Sequence, residues 1–326
     1  MGFNNVYNKI ASISPYVEVM LRRLYWRNVD KLKKYNPNKP KSSSSVKESH
    51  HVDFEKVIAW LKSQGIGEGD LLIVHSGYGQ LECTGLSPEH IIDRLLELIG
   101  PSGTLAMPVI RRFKEYKAAS KAGISSKEVV ATYNVKKTLV TSGMLPYTLM
   151  QRSDAVTSLF PLNPLCAVGP LAEAMMEHNL EGEFPSPHGP NSSWKFCYDH
   201  GVKVCSIGTD IEHHCSIAHV VEEAFGDWYW PDDVWYDHYK FEIVDANNNT
   251  KELIVSNRKN DWGKLYGAEI KVNKDAKKAG ALFSDIIDGI TVGYIDVNKL
   301  FDMRRTYPKK GYPYYVPFYV NVKKIK

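Results

Sequence analysis

Between Val202 and Glu223 the chain passes from an apolar, strand-like run through the polar loop GTDIEHHC into a segment whose apolar residues recur at helical spacing. A strand that yields to a loop and then a helix is the repeating unit of parallel α/β sheets, and such folds place their chemistry where the strand ends. The same order occurs upstream. Phe54, Val57, Ile58 and Leu61 recur at helical spacing and stop at Gly65, and Leu71 to Val74 form a short apolar run. Ser87 and Pro88 then open a helix carrying Ile91, Ile92, Leu95 and Leu96 that ends at Gly100, and Thr104 to Val109 read as the next strand. The expected architecture is a three-layer α/β/α fold around a central, largely parallel sheet. Beyond Glu223 the pattern changes. HYKFEIVDANNNTKELIVSNR holds two alternating runs around Asn247 to Asn249, which predicts a hairpin and an added antiparallel section in the C-terminal part.

With 326 residues and 43% hydrophobic content the chain can bury a large core. Its formal net charge of +4 is unevenly spread, because residues 1–50 hold ten Lys and Arg against three Asp and Glu. The expected organisation is a basic helical extension and linker over 1–50 and one catalytic domain over 51–326. Within the extension, Val17, Met20, Leu21 and Leu24 mark one apolar face of a helix opened by Ser14 and Pro15. A helix over residues 14–36 either contacts anionic lipid or an acidic partner, or packs on its own domain with a solvated basic face. Cysteines 83, 166, 197, 205 and 215 show no paired short spacing, which fits a reduced, cytoplasmic setting better than a disulfide framework. No apolar run approaches the roughly 18 residues of a membrane span. A cytoplasmic protein, with membrane association confined to the cytoplasmic side, is the expectation.

Within Val202 to Glu223, Ser216 stands three positions before His219, and Glu222 and Glu223 three and four positions after it. That spacing puts imidazole and carboxylate on one helical face, the arrangement of a base with an orienting acid, although a solvated loop and helix face would show the same pattern. His213, His214, Cys215 and His219 also invite a zinc reading, but adjacent histidines rarely ligate one ion and no second ligand pair is evident, so no metal is expected. A P-loop, a GxGxxG turn and a GxSxG elbow are all absent, which counts against nucleotide hydrolysis, nicotinamide chemistry and α/β-hydrolase activity. The run from Asp227 to Phe241 interleaves Trp230 and other aromatics with Asp232 and Asp233. Flat rings suit sugars and carboxylates suit an amine, and the same acids would repel nucleic acid. Core packing of the aromatics is the competing explanation.

LLIVHSGYGQL followed by TGLSPEHIIDRLLELIGPSGTLAMPVI resembles the opening of the aminoglycoside 3-N-acetyltransferase family, and the likeness continues through NPLCAVGPLAEAM, HGPNSSWKF and VCSIGTDIEHHCSIAHVVEE. It covers roughly residues 53–225, leaves the rest loosely matched, and makes residues 1–50 look like an addition. The resemblance implies metal-free acyl transfer from acetyl-CoA, or another acyl-CoA, to the amine of an aminoglycoside or nucleotide-linked amino sugar. It implies His219 as general base, Ser216 as the family's hydroxyl residue and Glu222 as its glutamate. Glu222, Glu223 and Asp261 are alternative orienting carboxylates. His75 and Ser76 match the strand-end pair near the cofactor's pantetheine arm, with Gly77, Gly208 and Thr209 as further cofactor contacts. Asp232, Asp233 and Trp230 are the expected acceptor contacts, and a homo-oligomer is compatible with all of this. One stretch departs from the family. Phe160, Pro161, Leu162, Asn163 and Pro164 stand where relatives commonly carry two histidines. That departure keeps a non-catalytic carbohydrate-binding protein as an alternative; a zinc-dependent hydrolase, which would need stoichiometric zinc in the purified protein, is a weaker one.

Overall fold

Leu71 and Ile73 of the first central strand face one core cluster while Leu72 and Val74 face another, so both sides of the sheet are covered. That alternation follows from the two-residue period of a β-strand. The computed structural model describes residues 3–35, 51–225, 235–259 and 267–310. Among them, seven strands form the main sheet in the order β4-β5-β2-β1-β6-β10-β9. These are β1 (Leu71–Ser76), β2 (Thr104–Pro108), β4 (Val156–Thr157), β5 (Leu165–Val168), β6 (Lys203–Ile207), β9 (Leu282–Ile287) and β10 (Ile290–Ile295). A smaller sheet has the order β3-β7-β8, with β3 (Val130–Asn134), β7 (Tyr236–Val244) and β8 (Thr250–Arg258).

On one face of the main sheet lie the helices Glu55–Ser63 and Pro88–Ile99, which contribute Val57, Ile58, Leu61, Ile91, Ile92 and Leu95. Ser87 accepts the His90 N–H and Pro88 occupies the first turn, so the start of the second helix is set by the sequence. On the other face Trp194 and Cys197 of the helix Ser193–Asp199 pack with Val220, Val221, Leu300 and Phe301. The three-layer expectation holds, and the parallel portion is its centre: β1 pairs parallel with β2 and with β6. Both flanks are antiparallel, through β5 on β2 and β10 on β6. The β9-β10 hairpin turns at Asp288 and Gly289, both with positive φ, as a tight hairpin requires.

The hairpin expected around Asn247 is β7-β8, whose turn is tied by Asp245 accepting the N–H groups of Asn247 and Asn249. Its pairing with β3, in parallel, builds a second core from Phe113, Tyr133, Phe160, Tyr239 and Phe241. Trp235 is buried as well, so Trp235, Tyr239 and Phe241 of the aromatic run serve packing, while Tyr236 is only partly buried. Trp230, Asp232 and Asp233 lie outside the described residues, as does Asp261.

The N-terminal helix Pro15–Tyr35 is anchored on the body. Glu18, fully buried, accepts the N–H groups of Ile270 and Lys271 at 2.9 Å each and so caps the helix Glu269–Lys278 from a remote part of the chain. Arg22 pairs with both Glu18 and Glu269.

Candidate active site

The carboxyl ends of β1 and β6 lie side by side, with His75 opposite Ser206 and Ser76 opposite Ile207. Just beyond them Gly77 and Gly208 touch, and a Cβ on Gly77 would stand 2.3 Å from the Gly208 carbonyl oxygen, so neither strand end tolerates a side chain. After Gly208 the loop reaches a 3-10 turn, Ser216–His219, which runs into the short helix Val220–Glu223. Residues three apart eclipse in a 3-10 turn, which sets Ser216 beside His219. Both line a pocket of about 440 Å³ together with Arg22, Arg258, Glu269 and Arg304.

His219 Nδ1 lies 2.9 Å from Glu222 Oε2 and 2.7 Å from Arg258 Nη1. One nitrogen cannot donate to the first and accept from the second at once. With Nδ1–H on Glu222, Nε2 keeps its lone pair and can take a proton; with Arg258 donating to Nδ1, the proton sits on Nε2. Burial, reinforced by the positive charges of Arg258 and Arg304 and by the neighbouring His188 ring, holds the imidazole well below its ordinary range, and the ring is neutral at pH 7.

Glu222 is fully buried and also pairs with Arg258, at 3.1 Å, and with Arg304. Glu223 pairs with Arg258 at 3.3 Å and accepts the His188 backbone N–H at 3.1 Å. Burial alone would raise Glu223, but His188 and Arg258 outweigh it and keep the carboxylate ionised. Two buried carboxylates thus face two partly buried guanidinium groups with the imidazoles wedged between them. This is the pairing that buried charge requires.

His188 is held from the opposite side. Asn163 Nδ2 donates to His188 Nε2 at 2.8 Å, leaving Nδ1 to face Glu223 at 3.4 Å. Asn163 adopts a left-handed backbone with φ 49°, and its carbonyl accepts the Trp194 indole N–H at 2.9 Å. The residue that stands where relatives carry histidine is therefore built into the network, whereas Phe160 is absorbed by the second core.

His75 and Ser76 do not line the pocket with His219. They connect to it through rings: His75 stacks on Trp194 at 6.3 Å, Trp194 meets His188 at 5.5 Å, and His188 meets His219 at 5.2 Å. His75 Nε2 and the Ser76 hydroxyl are buried with no hydrogen-bond partner among the described residues. Burial first, and His214 second, lower the His75 pKa to about 3. Unsatisfied polar atoms beside closely packed glycines are what a strand end offers to a polar ligand group, so these residues fit a cofactor arm. His213 pairs with Asp210 and His214 Nδ1 faces the Asp210 carbonyl; among the described residues no group of three or more His, Cys, Asp or Glu side chains is placed together to hold a metal ion.

A second pocket, of about 780 Å³, backs onto the same wall from the other side. Glu181, Glu183, Glu222 and Glu223 line it with Tyr236 and His238, and no Lys or Arg is among its described lining residues. Arg258, Arg304 and His188 carry no local signal that singles them out. His188 could have been found in HGPNSSWKF, a stretch otherwise read only for its likeness.

The family model described as aminoglycoside 3-N-acetyltransferase matches residues 73–305. An aminoglycoside N(3)-acetyltransferase IX from Micromonospora chalcea is 24% identical over 174 residues, covering 51% of this chain and 60% of that protein. The type VIII enzyme from Streptomyces fradiae is 24% identical over 175 residues, covering 52% and 60%. The chain thus spans about 60% of the length of these two relatives. Among solved structures, AAC-IIIb in binary complex with CoASH superposes with TM-score 0.63 at 17% identity, over 80% of this chain and 97% of that one. Sisomicin-bound AAC-VIa gives TM-score 0.63 at 15% identity, over 80% and 98%. At such identities the structural likeness concerns the fold.

Proposed function

The chain belongs to the aminoglycoside 3-N-acetyltransferase family, and we propose that it is an N-acyltransferase moving an acyl group, in the simplest case acetyl, from acyl-CoA to the amine of an amino sugar. The observation that carries this is His219, neutral, at a pocket wall, with Nδ1 on the buried carboxylate of Glu222.

A sugar ammonium is no nucleophile. The ammonium first gives up one proton to solvent; as the resulting amine nitrogen attacks the thioester carbonyl, His219 Nε2 takes its second proton, and the C–S bond breaks as the amide forms. The imidazolium then returns its proton to the departing thiolate, leaving His219 neutral and CoA as the thiol. Glu222 holds the Nδ1–H tautomer and stabilises the transient imidazolium. Ser216, on the same turn, donates its hydroxyl to the developing oxyanion. His75, Ser76 and the Gly77-Gly208 contact, with Thr209 beside it, receive the pantetheine arm. Glu181 and Glu183 of the neighbouring pocket complement the further ammonium groups of an acceptor whose reacting amine reaches His219, Glu222 and Glu223 being already paired with Arg258 and Arg304. That charge favours a polyamine sugar such as an aminoglycoside over a nucleotide-linked one, whose phosphates the glutamates would repel.

Asn163, which braces His188 in the carboxylate network, supports the catalytic reading over the non-catalytic one. The test is thiol release from acetyl-CoA against aminoglycosides and nucleotide-linked amino sugars. Turnover with the former and little with the latter is expected; binding of sugars without thiol release would establish the carbohydrate-binding alternative.

A further inference from the structure

The helix Pro15–Tyr35 turns one side to the body and leaves another uncovered. Glu18 and Val19 are buried, but residues 23 to 28 are all exposed, so this stretch of the helix is uncovered. From Arg23 to Tyr35 the helix extends roughly 20 Å at 1.5 Å per residue. The uncovered surface is apolar: Met20 is 53%, Leu24 50% and Tyr25 48% exposed, and the preceding helix Phe3–Ala11 adds Val6 and Ile10. Exposed apolar surface of this kind marks an interaction site. Bases are interspersed with it, since Lys9, Arg23, Arg27 and Lys31 are exposed, while Glu18 is turned into the body. Arg23 and Arg27 share one shallow depression with Met20 and Leu24, which puts charge and apolar carbon side by side.

We propose that this helix docks the protein on an anionic lipid surface, with Met20 and Leu24 entering the headgroup layer and Arg23, Arg27 and Lys31 meeting lipid phosphates. Apolar side chains flanked by Arg and Lys on a helix that does not span are the mark of an interfacial helix, and among the described residues no helix is long and apolar enough to cross a membrane. A second copy of the chain is the poorer occupant. Isologous pairing of this face would set its bases against their symmetry mates. Docking carries a consequence for the site, because Arg22 on the same helix lines the pocket that holds His219.

The experiment is co-sedimentation of the full chain with phosphatidylcholine vesicles, with and without phosphatidylglycerol, at low and high salt. Binding to the anionic vesicles is expected to fall about tenfold or more on neutral vesicles, at high salt, and in both Met20→Glu/Leu24→Glu and Arg23→Glu/Arg27→Glu. Turnover of a soluble acceptor should be unchanged in both double variants, which also shows that they fold. Equal partition onto neutral and anionic vesicles, or none onto either, would overturn the proposal. So would a wild-type dimer that Met20→Glu/Leu24→Glu converts to a monomer, since the face would then belong to a second copy.

Discussion

Replacing Glu222 by Gln removes one negative charge from a buried cluster in which Glu222 and Glu223 face Arg258 and Arg304. The side chain keeps its size, so packing is conserved and the change is electrostatic. Arg304 loses its carboxylate, Arg258 retains only Glu223, and the cluster gains a net positive charge where both arginines are shielded from water. Breaking a buried pair by removing one partner costs about 3–5 kcal/mol, because the other charge stays behind uncompensated. For a chain of this size that is a fall of roughly 5–10 °C in the unfolding midpoint. A second effect falls on His219, whose Nδ1 loses the acceptor that selects the base-competent tautomer while Arg258 remains in place to donate to it. By analogy with loss of the orienting carboxylate in a catalytic triad, kcat should drop by about 10²–10⁴ at temperatures where the variant is fully folded. Scanning calorimetry paired with thiol-release kinetics separates the two effects. A variant as stable as the wild type within about 1 kcal/mol would show that Glu222 does not compensate the arginines. A stable, fully active variant would remove it from both roles.

Glu18→Ala should leave the first turn of Glu269–Lys278 without its remote cap, costing about 1–2 kcal/mol, and should raise the KM of whichever substrate meets that wall more than it lowers kcat; Glu18→Gln should restore part of both. An unchanged KM in the alanine variant would detach the N-terminal helix from the pocket. Arg258→Met removes the donor that competes for His219 Nδ1, and by stranding Glu223 it should destabilise the fold while shifting the acid limb of the kcat/KM profile upward; an unshifted limb would show that Arg258 does not act on the imidazole. Acid should destabilise the protein early. His75 and His188 are held neutral by burial, their folded pKa values lie below the ordinary 6.5, and the unfolded chain therefore binds more protons as pH falls through 6.5. His75 should remove about 1 kcal/mol between pH 6.5 and 5.5 and continue toward its folded value of about 3, and His188 adds a loss of the same sign. A urea midpoint independent of pH over that range would contradict the burial of both rings.

Local spacing made the first half of the site legible. Ser216, His219 and Glu222 lie within seven consecutive residues, so their shared face follows from the geometry of one turn and a short helix. The other half comes from long range: His188 precedes the helix Ser193–Asp199, Arg258 ends β8, and Arg304 closes the helix Val297–Arg305. No periodicity links these three, and the small sheet that carries Arg258 to the pocket depends on the pairing of β3 with β7 across more than a hundred residues. The parallel centre was legible because its strands are buried on both faces and read as continuous apolar runs. β5 escaped notice because only four residues pair there, and β10 because its Gly293 and Tyr294 interrupt an apolar run. Asn163 illustrates the limit of comparing residue types: it departs from the histidine expected at that place, yet it still holds the next histidine in position.

The most direct measurement of the central claim is thiol release by His219→Ala alongside acetyl-CoA binding by calorimetry on the same preparation. Removing the base should lower turnover by about 10²-fold or more while the dissociation constant for acetyl-CoA changes little, since the imidazole acts chiefly in the transition state. Turnover near the wild-type rate would contradict the account and place the proton transfer on another residue.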